Sequence, residues 1–278
     1  MLFPPAERLS VASPPPRPAR NITTGEIFHY RYTFFPQARP VCQTWAVTSP
    51  RLLVLFDLDG TLVDPAGAIT GGIGSALAAA GLPVPSQAQL QQMVGPALVT
   101  SLQHIAGVPA DRIEEVIRHY REGYRSTGMA QSRPYPGIRA AVESLRTSCT
   151  VAVATQKPGT LAEDLLDVQG LSDLFASVHG SPADEQAAAA LDGKRSIIRA
   201  AMDRHEGSYD LAVMVGDRLH DVEGARANGL DCIGVSWGFA APGELEAAGA
   251  AAVVDTAQEL AQAVLRYARN GSALNGAL

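Results

Sequence analysis

The sequence predicts an α/β fold, a doubly wound parallel sheet carrying an inserted α-helical domain. Three observations predict it. Short apolar runs recur along the chain at the length of buried strands. Amphipathic helical patterns separate most of those runs. The interval after the first run is too long for an ordinary crossover and reads as helices throughout.

Leu52-Leu53-Val54-Leu55-Phe56 is a continuous apolar run, as expected of a strand covered on both faces. Similar runs span Val151 to Ala154, Leu211 to Val215 and Ala251 to Val254, with a shorter one from Cys232 to Val235. Between them, Leu161, Leu165 and Leu166 share a helical face, and Ile197, Ile198 and Met202 share another. Leu260, Val264 and Leu265 close the pattern, with Asp255 the expected N-cap. Strands alternating with helices imply parallel pairing through right-handed crossovers.

From about Ile69 to Arg133 the pattern is helical only. Ile69, Ile73 and Leu77 are spaced by four, and Gly81 is placed to stop the helix. Ser86 with Gln89 forms a capping-box pattern before Leu90, Met93 and Val94, and Gly95-Pro96 ends that segment. Ile113, Val116, Ile117, Tyr120 and Tyr124 line another amphipathic face. The division is therefore an α/β core over 50–66 and 134–278, with a helical cap over 67–133. Residues 1–49 differ: Pro4, Pro5, Pro14, Pro15, Pro16 and Pro18 make the start helix-incompatible. Phe28, Tyr30, Tyr32 and Phe34 then alternate as on a strand. This stretch is expected to be a disordered tail, or translated sequence upstream of a true start near Val47.

The 278 residues are 46% hydrophobic and 18% charged, enough to bury a large core. A net charge of −6 argues against a phosphate-tracking nucleic-acid binder. A phosphorylated small molecule stays possible, because a metal can supply local positive charge. The cysteines, Cys42, Cys149 and Cys232, are odd in number and widely spaced, which fits a reducing cytoplasm better than a disulfide framework. No apolar run of membrane-spanning length occurs.

In an open parallel sheet, ligands sit beyond the carboxyl ends of the strands. The first run is followed by Asp57-Leu58-Asp59-Gly60-Thr61, the second by Thr155-Gln156-Lys157-Pro158, and the Leu211 run by Gly216-Asp217-Arg218-Leu219-His220-Asp221. Asp57, Asp59 and Asp217 would repel one another without a cation, and hard oxygen ligands at a sheet edge suit Mg²⁺. Asp57 can direct a carboxylate at phosphorus as a nucleophile. Asp59, two residues on, lies on the same side and can act as acid, then base. Its share in metal binding is expected through its backbone carbonyl. Gly60 lets the chain turn away, and Thr155 offers a hydroxyl and an N–H to a phosphate oxygen. A lysine is needed to complete the charge balance.

Asp57-Leu58-Asp59-Gly60-Thr61, Ala154-Thr155, Lys194, and Gly216-Asp217 with Asp221 resemble the four signature motifs of the haloacid dehalogenase superfamily. That resemblance implies a Rossmann-like core. The second acid, Asp59, resembles the phosphatase and mutase branches. Tyr135-Pro136-Gly137-Ile138, the segment Gly216 to Val222, and Gly234-Val235-Ser236-Trp237-Gly238 resemble the phosphoglycolate-phosphatase-like group. The resemblance implies Asp57 as nucleophile, Asp59 as general acid/base, Thr155 as phosphoryl binder and Lys194 as its stabiliser. It implies Asp217 as a Mg²⁺ ligand, Asp221 as a further ligand or an orienter, and the helical insert as a mobile cap with Gly95-Pro96 near its substrate-facing loop. Phosphoglycolate is the first substrate expected and nucleoside 5′-monophosphates the second; an intramolecular phosphosugar mutase is the alternative reaction.

Lys157, close after Thr155, competes with Lys194 for the lysine role, and the usual Lys-Pro-x-Pro signature is absent around Lys194. His220 is expected beside the site without acid–base work, since Asp59 supplies it. His29, His104, His119, His179 and His205 lack metal-ligand spacing. Arg112, Arg118, Arg121 and Arg125 read first as a solvated face and second as a clamp for a carboxylate-bearing substrate.

Overall fold

The protein is described by a computed structural model at residues 50–184, 187–188 and 192–270. The reading of residues 1–49, with Cys42 and His29, lies outside the described residues. Six parallel strands form the main sheet: β1 (Leu52–Phe56), β4 (Cys149–Pro158), β5 (Val178–Ser181), β6 (Leu211–Gly216), β7 (Asp231–Val235) and β8 (Ala252–Val254). Their spatial order is β5-β4-β1-β6-β7-β8. The chain therefore grows outward from β1 in one direction, returns, and grows in the other. Such a reversal opens a crevice at the strand ends.

All five residues of β1 are buried. Leu52, Val54 and Phe56 face one core, packed with α6 (Ile138–Leu145), α7 (Gly159–Val168) and α11 (Ala257–Asn270). Leu53 and Leu55 face the other, with α8 (Gly193–Arg204), α9 (Leu219–Ala227) and α10 (Glu244–Ala248). Strand alternation thus serves both layers from one run. Each of these side chains contributes roughly 1.5–3 kcal/mol on burial.

A two-stranded antiparallel pair, β2 (Val63–Asp64) and β3 (Arg133–Pro134), lies outside the main sheet. Between its strands run α1 (Ala68–Ala79), α2 (Gln87–Gln92), α3 (Leu98–His104), α4 (Ile113–Gly123) and α5 (Met129–Gln131). Gly81 follows α1 at φ +69°, and the Ser86–Gln89 capping box is formed on α2. A wider helical turn, Tyr124–Gly128, joins α4 to α5.

One expectation changes. The cap of α11 is Thr256, whose Oγ1 accepts the Glu259 N–H at 3.1 Å. Asp255 instead gives its N–H to Glu259 Oε2 and accepts from Ser236 Oγ. The edge strand β5 was not readable as a strand, because Val178-His179-Gly180-Ser181 is half-buried throughout and has no apolar run.

Register matters most for the site. Phe56 pairs with Val153 on one side and Val215 on the other. The next residues therefore emerge level: Asp57 between Ala154-Thr155 and Gly216-Asp217.

Candidate active site

Asp57 leaves β1 with its N–H donated to the Val215 carbonyl at 2.9 Å, which fixes its backbone to β6. Its Oδ1 accepts a 2.6 Å bond from Lys194 Nζ. Lys194 comes from the first turn of α8, and the same Nζ lies 2.7 Å from Asp221 Oδ1. The structure therefore brings Lys194, and not Lys157, to Asp57. Lys157 Nζ instead pairs with Asp59 Oδ2 at 2.8 Å. The other oxygen, Asp59 Oδ1, is buried and has no hydrogen-bond partner among the described residues.

Asp217 is fully buried. Thr61 Oγ1 donates to its Oδ1 at 3.1 Å, and the Phe239 N–H donates to its Oδ2 at 2.8 Å. Asp221 occupies the third position of α9, and its Oδ2 accepts the Arg218 N–H at 3.1 Å. It thus caps that helix while its other oxygen holds Lys194. Thr155 is buried, and its Oγ1 accepts the Lys157 N–H at 3.2 Å. It does not cap α7, which starts at Gly159 without a side-chain cap.

Glycines leave room for these carboxylates. Gly60 adopts φ +89°, and a Cβ there would overlap Asp217. A Cβ on Gly216 would overlap Asp221, and one on Gly238 would also overlap Asp217. The motif glycines are therefore required by close approach as well as by turning.

Ligand oxygens of Asp57, Asp217 and Asp221 all lie within 4.8 Å of one another, and all three residues are buried. Asp59 is not part of that carboxylate group; its side chain is committed to Lys157. Counting Asp59, four carboxyl groups face two ammonium groups, so full ionisation would leave two negative charges uncompensated. Burial, with Asp57 and Asp221 nearby, pushes the Asp217 carboxyl well above the usual range. Burial also raises Asp221, to about 6, against the opposing pull of Lys194. Burial raises Asp59 as well, and Lys157 opposes it. Burial would lower both lysines, but Asp59 overrules it at Lys157, as do Asp221 and then Asp57 at Lys194. Hard oxygen donors with that residual charge when ionised fit a divalent cation such as Mg²⁺. Asp57, Asp217 and Asp221 are the side chains that would hold it.

The helical insertion closes one wall of the site. A cavity above Asp57, Asp59 and Thr155 is lined by Ile69, Ile73 and Tyr120 of the insertion and by residues 93–98. Lys157 Nζ sits 4.4 Å from the centre of the Tyr124 ring, which stacks with Tyr120 at 5.7 Å. Gly95-Pro96 lines this cavity. Of the four arginines, Arg121 reaches the cavity wall and donates to the Ala183 carbonyl at 3.1 Å. Arg112 pairs with Glu115, Arg118 with Glu122 and Arg125 with Asp164. His220 is half-buried, and burial lowers its pKa. Cys149 and Cys232 are free thiols. Thr61, Arg218, Gln156 and the Phe239 N–H were not assigned roles from sequence. Thr61 and Gly238 lie inside quoted motifs, whereas a backbone N–H leaves no trace in a sequence.

A doubly wound sheet with aspartates at adjacent strand ends gathers buried carboxylates in the crevice where ligands bind such folds. Residues 54–235 match the haloacid dehalogenase-like hydrolases, and the chain belongs to that family. It is similar to a 5′-nucleotidase of Pseudomonas aeruginosa, 37% identical over 199 residues, covering 70% of this chain and 86% of the relative. It is 35% identical to the tyrosine-protein kinase PtkA of Mycobacterium tuberculosis over 69% of this chain, though it spans only 64% of that protein. A phosphoglycolate phosphatase of Agrobacterium fabrum is 31% identical over 67% of this chain and 81% of its own length. Among solved structures, a predicted phosphatase from Clostridium acetobutylicum superposes with a TM-score of 0.71 at 34% identity, over 78% of this chain and all of that one. The chain is a phosphatase of this family. Among the described residues, no helix is long and apolar enough to cross a membrane.

Proposed function

We propose that the protein is a Mg²⁺-dependent cytoplasmic phosphatase that hydrolyses a small phosphomonoester through a phosphorylated Asp57. The observation that carries this is the 2.6 Å Lys194–Asp57 pair beside the buried group Asp57, Asp217 and Asp221. Bound Mg²⁺ supplies positive charge that screens the phosphoryl oxygens from the surrounding carboxylates.

The chain's own groups do the rest. Asp57 attacks phosphorus, and the ester P–O bond breaks in line. Asp59 gives a proton to the leaving oxygen, a role that burial favours by raising its carboxyl against the pull of Lys157. Lys194 and the Thr155 hydroxyl and N–H face the phosphoryl oxygens as charge shifts onto them. Asp59, now ionised, takes a proton from water as that water attacks phosphorus, releasing phosphate and restoring Asp57. The insertion acts as a cap that excludes bulk water during these steps.

For the substrate, phosphoglycolate and a nucleoside 5′-monophosphate remain the two leading classes. The apolar wall of Ile69, Ile73, Met93, Leu98, Tyr120 and Leu161 favours the larger, ring-bearing leaving group. A phosphate-release screen over phosphorylated metabolites with Mg²⁺ tests the reading, with Asp57→Asn as the control. Release that needs both Mg²⁺ and Asp57 supports it. Isomerisation without free phosphate, or transfer only to a protein acceptor, contradicts it.

A further inference from the structure

The loop 93–97, which leads into α3, lines the cavity, so its position decides the shape that the leaving group meets. Two neighbouring carbonyls of that loop are held from the core. Arg218 Nη1 donates to the Val94 carbonyl at 2.6 Å. Gln156 Nε2 donates to the Gly95 carbonyl at 3.0 Å. One donor lies at the end of β4 and the other just past β6, and each directly follows a site residue: Gln156 follows Thr155, and Arg218 follows Asp217.

Both donors are themselves fixed. Arg218 is buried, and its Nε donates to Glu244 Oε1 at 2.8 Å. The same Oε1 accepts the Leu219 N–H, and Oε2 accepts the Ala241 N–H. Glu244 is therefore locked by backbone before it positions Arg218. The Gln156 carbonyl accepts Ser181 Oγ at 2.9 Å, which ties its backbone to β5. On the receiving side, Gly95 adopts φ +105°, and a Cβ there would lie 3.3 Å from Arg218 Cγ. The absence of a side chain lets the loop descend onto the guanidinium.

We infer that Gln156 and Arg218 are positioning residues that hold the loop 93–97 as the roof of the active site. Each links the roof to one chemical element of the site: Gln156 to the end of β4 that carries Thr155, Arg218 to the β6–α9 junction that carries Asp217 and Asp221. Displacing either core loop would therefore move the roof, and lifting the roof would release both. Neither residue needs to touch substrate. This rests on the reading of the site as a phosphatase site roofed by the insertion, but the contacts can be tested without turnover.

Hydrogen exchange on the full chain, followed by mass spectrometry, is the test. Removing a neutral hydrogen bond is expected to speed exchange in segment 94–104 roughly fivefold in Gln156→Ala, and removing a charged one roughly tenfold or more in an Arg218 variant. Amides of β1 should be unchanged. Arg218→Ala also strands Glu244 and can unfold the protein, so Arg218→Lys, Gln156→Ala and Gly95→Ala carry the experiment. Steady-state kinetics on p-nitrophenyl phosphate with Mg²⁺ supply the second readout. KM should rise roughly in step with the exchange rate, while kcat falls by less. Unchanged exchange in all three folded variants overturns the inference, as does a kcat loss with KM and exchange unmoved. If the parent chain releases no phosphate from any substrate, the functional reading fails, while the exchange result still decides whether the roof is held this way.

Discussion

Lys194→Met probes the site most sharply, because one ammonium group satisfies two buried carboxylates. Lys194 Nζ lies 2.6 Å from Asp57 and 2.7 Å from Asp221. Methionine keeps the length and apolar stem, so packing against Gly224 survives. The charge does not survive. Removing one partner of a buried ion pair costs about 3–5 kcal/mol, since the remaining charge is left uncompensated. For a folded unit of this size, about 2–4 °C of melting temperature is lost per kcal/mol, so a drop of roughly 6–20 °C is expected in EDTA. Added Mg²⁺ should recover more of that loss in the variant than it adds to the parent, because both carboxylates have lost their cation. Turnover should fall roughly 10²–10³-fold, the scale of losing one preorganised charge donor. Lys157→Met, which leaves the Asp57 pair intact, should retain the larger Mg²⁺-free stability of the two if Asp59 takes up a proton. Thermal unfolding with and without Mg²⁺, beside phosphate release, reads all of this. A Lys194→Met protein that melts with the parent in EDTA and turns over within tenfold of it would refute the reasoning.

Other outcomes follow from the same geometry. Asp57→Asn should abolish turnover, since an amide forms no acyl phosphate, and activity above background in a phosphate-release assay would contradict the covalent route. Gly60→Ala should lose Mg²⁺-dependent turnover and about 1–3 kcal/mol of stability, because φ +89° is strained for alanine and its Cβ overlaps Asp217; wild-type kinetics and melting would count against that crowding. The metal-free protein should lose stability as pH rises. Asp221 is raised from 3.8 to about 6, so its contribution is complete below the lower value and is lost through the upper one. Asp217 and Asp59 are raised in the same direction. Mg²⁺ should therefore stabilise the protein at pH 7 and hardly at pH 4; equal stabilisation at both would show that these carboxyls are not its ligands.

The legible parts of this fold are those where burial is complete. Leu52 to Phe56 announces a strand because both faces are covered, and the insertion announces itself through Ile113, Val116, Ile117, Tyr120 and Tyr124, all of them buried. Val178 to Ser181 gave no such signal, since an edge strand keeps its residues half-exposed. The two-residue strands Val63–Asp64 and Arg133–Pro134 are too short to carry a period. Thr256 displaced Asp255 as cap because both residue types cap well, and backbone geometry alone decides between neighbours.

At the site, Asp57, Thr155 and Asp217 were legible as polar residues ending apolar runs that lie in register. Lys194 was not, because it sits 137 residues from Asp57 on the first turn of a helix. Only a resemblance brought it forward, and the ion pair with Asp57 separates it from Lys157. Asp221 could be read as a cap or as a site residue, and it is both: one oxygen takes the Arg218 N–H and the other takes Lys194. The Phe239 N–H on Asp217 and the Val94 and Gly95 carbonyls under Arg218 and Gln156 are backbone groups, which no residue type encodes.

A crystal structure of the full chain grown with Mg²⁺ and beryllofluoride tests the central claim most directly. The account predicts beryllium bonded to an Asp57 carboxylate oxygen, one cation touching Asp57 and Asp217, and Lys194 against the fluorides. A beryllofluoride group on another residue, or a cation bound away from these carboxylates, would contradict it.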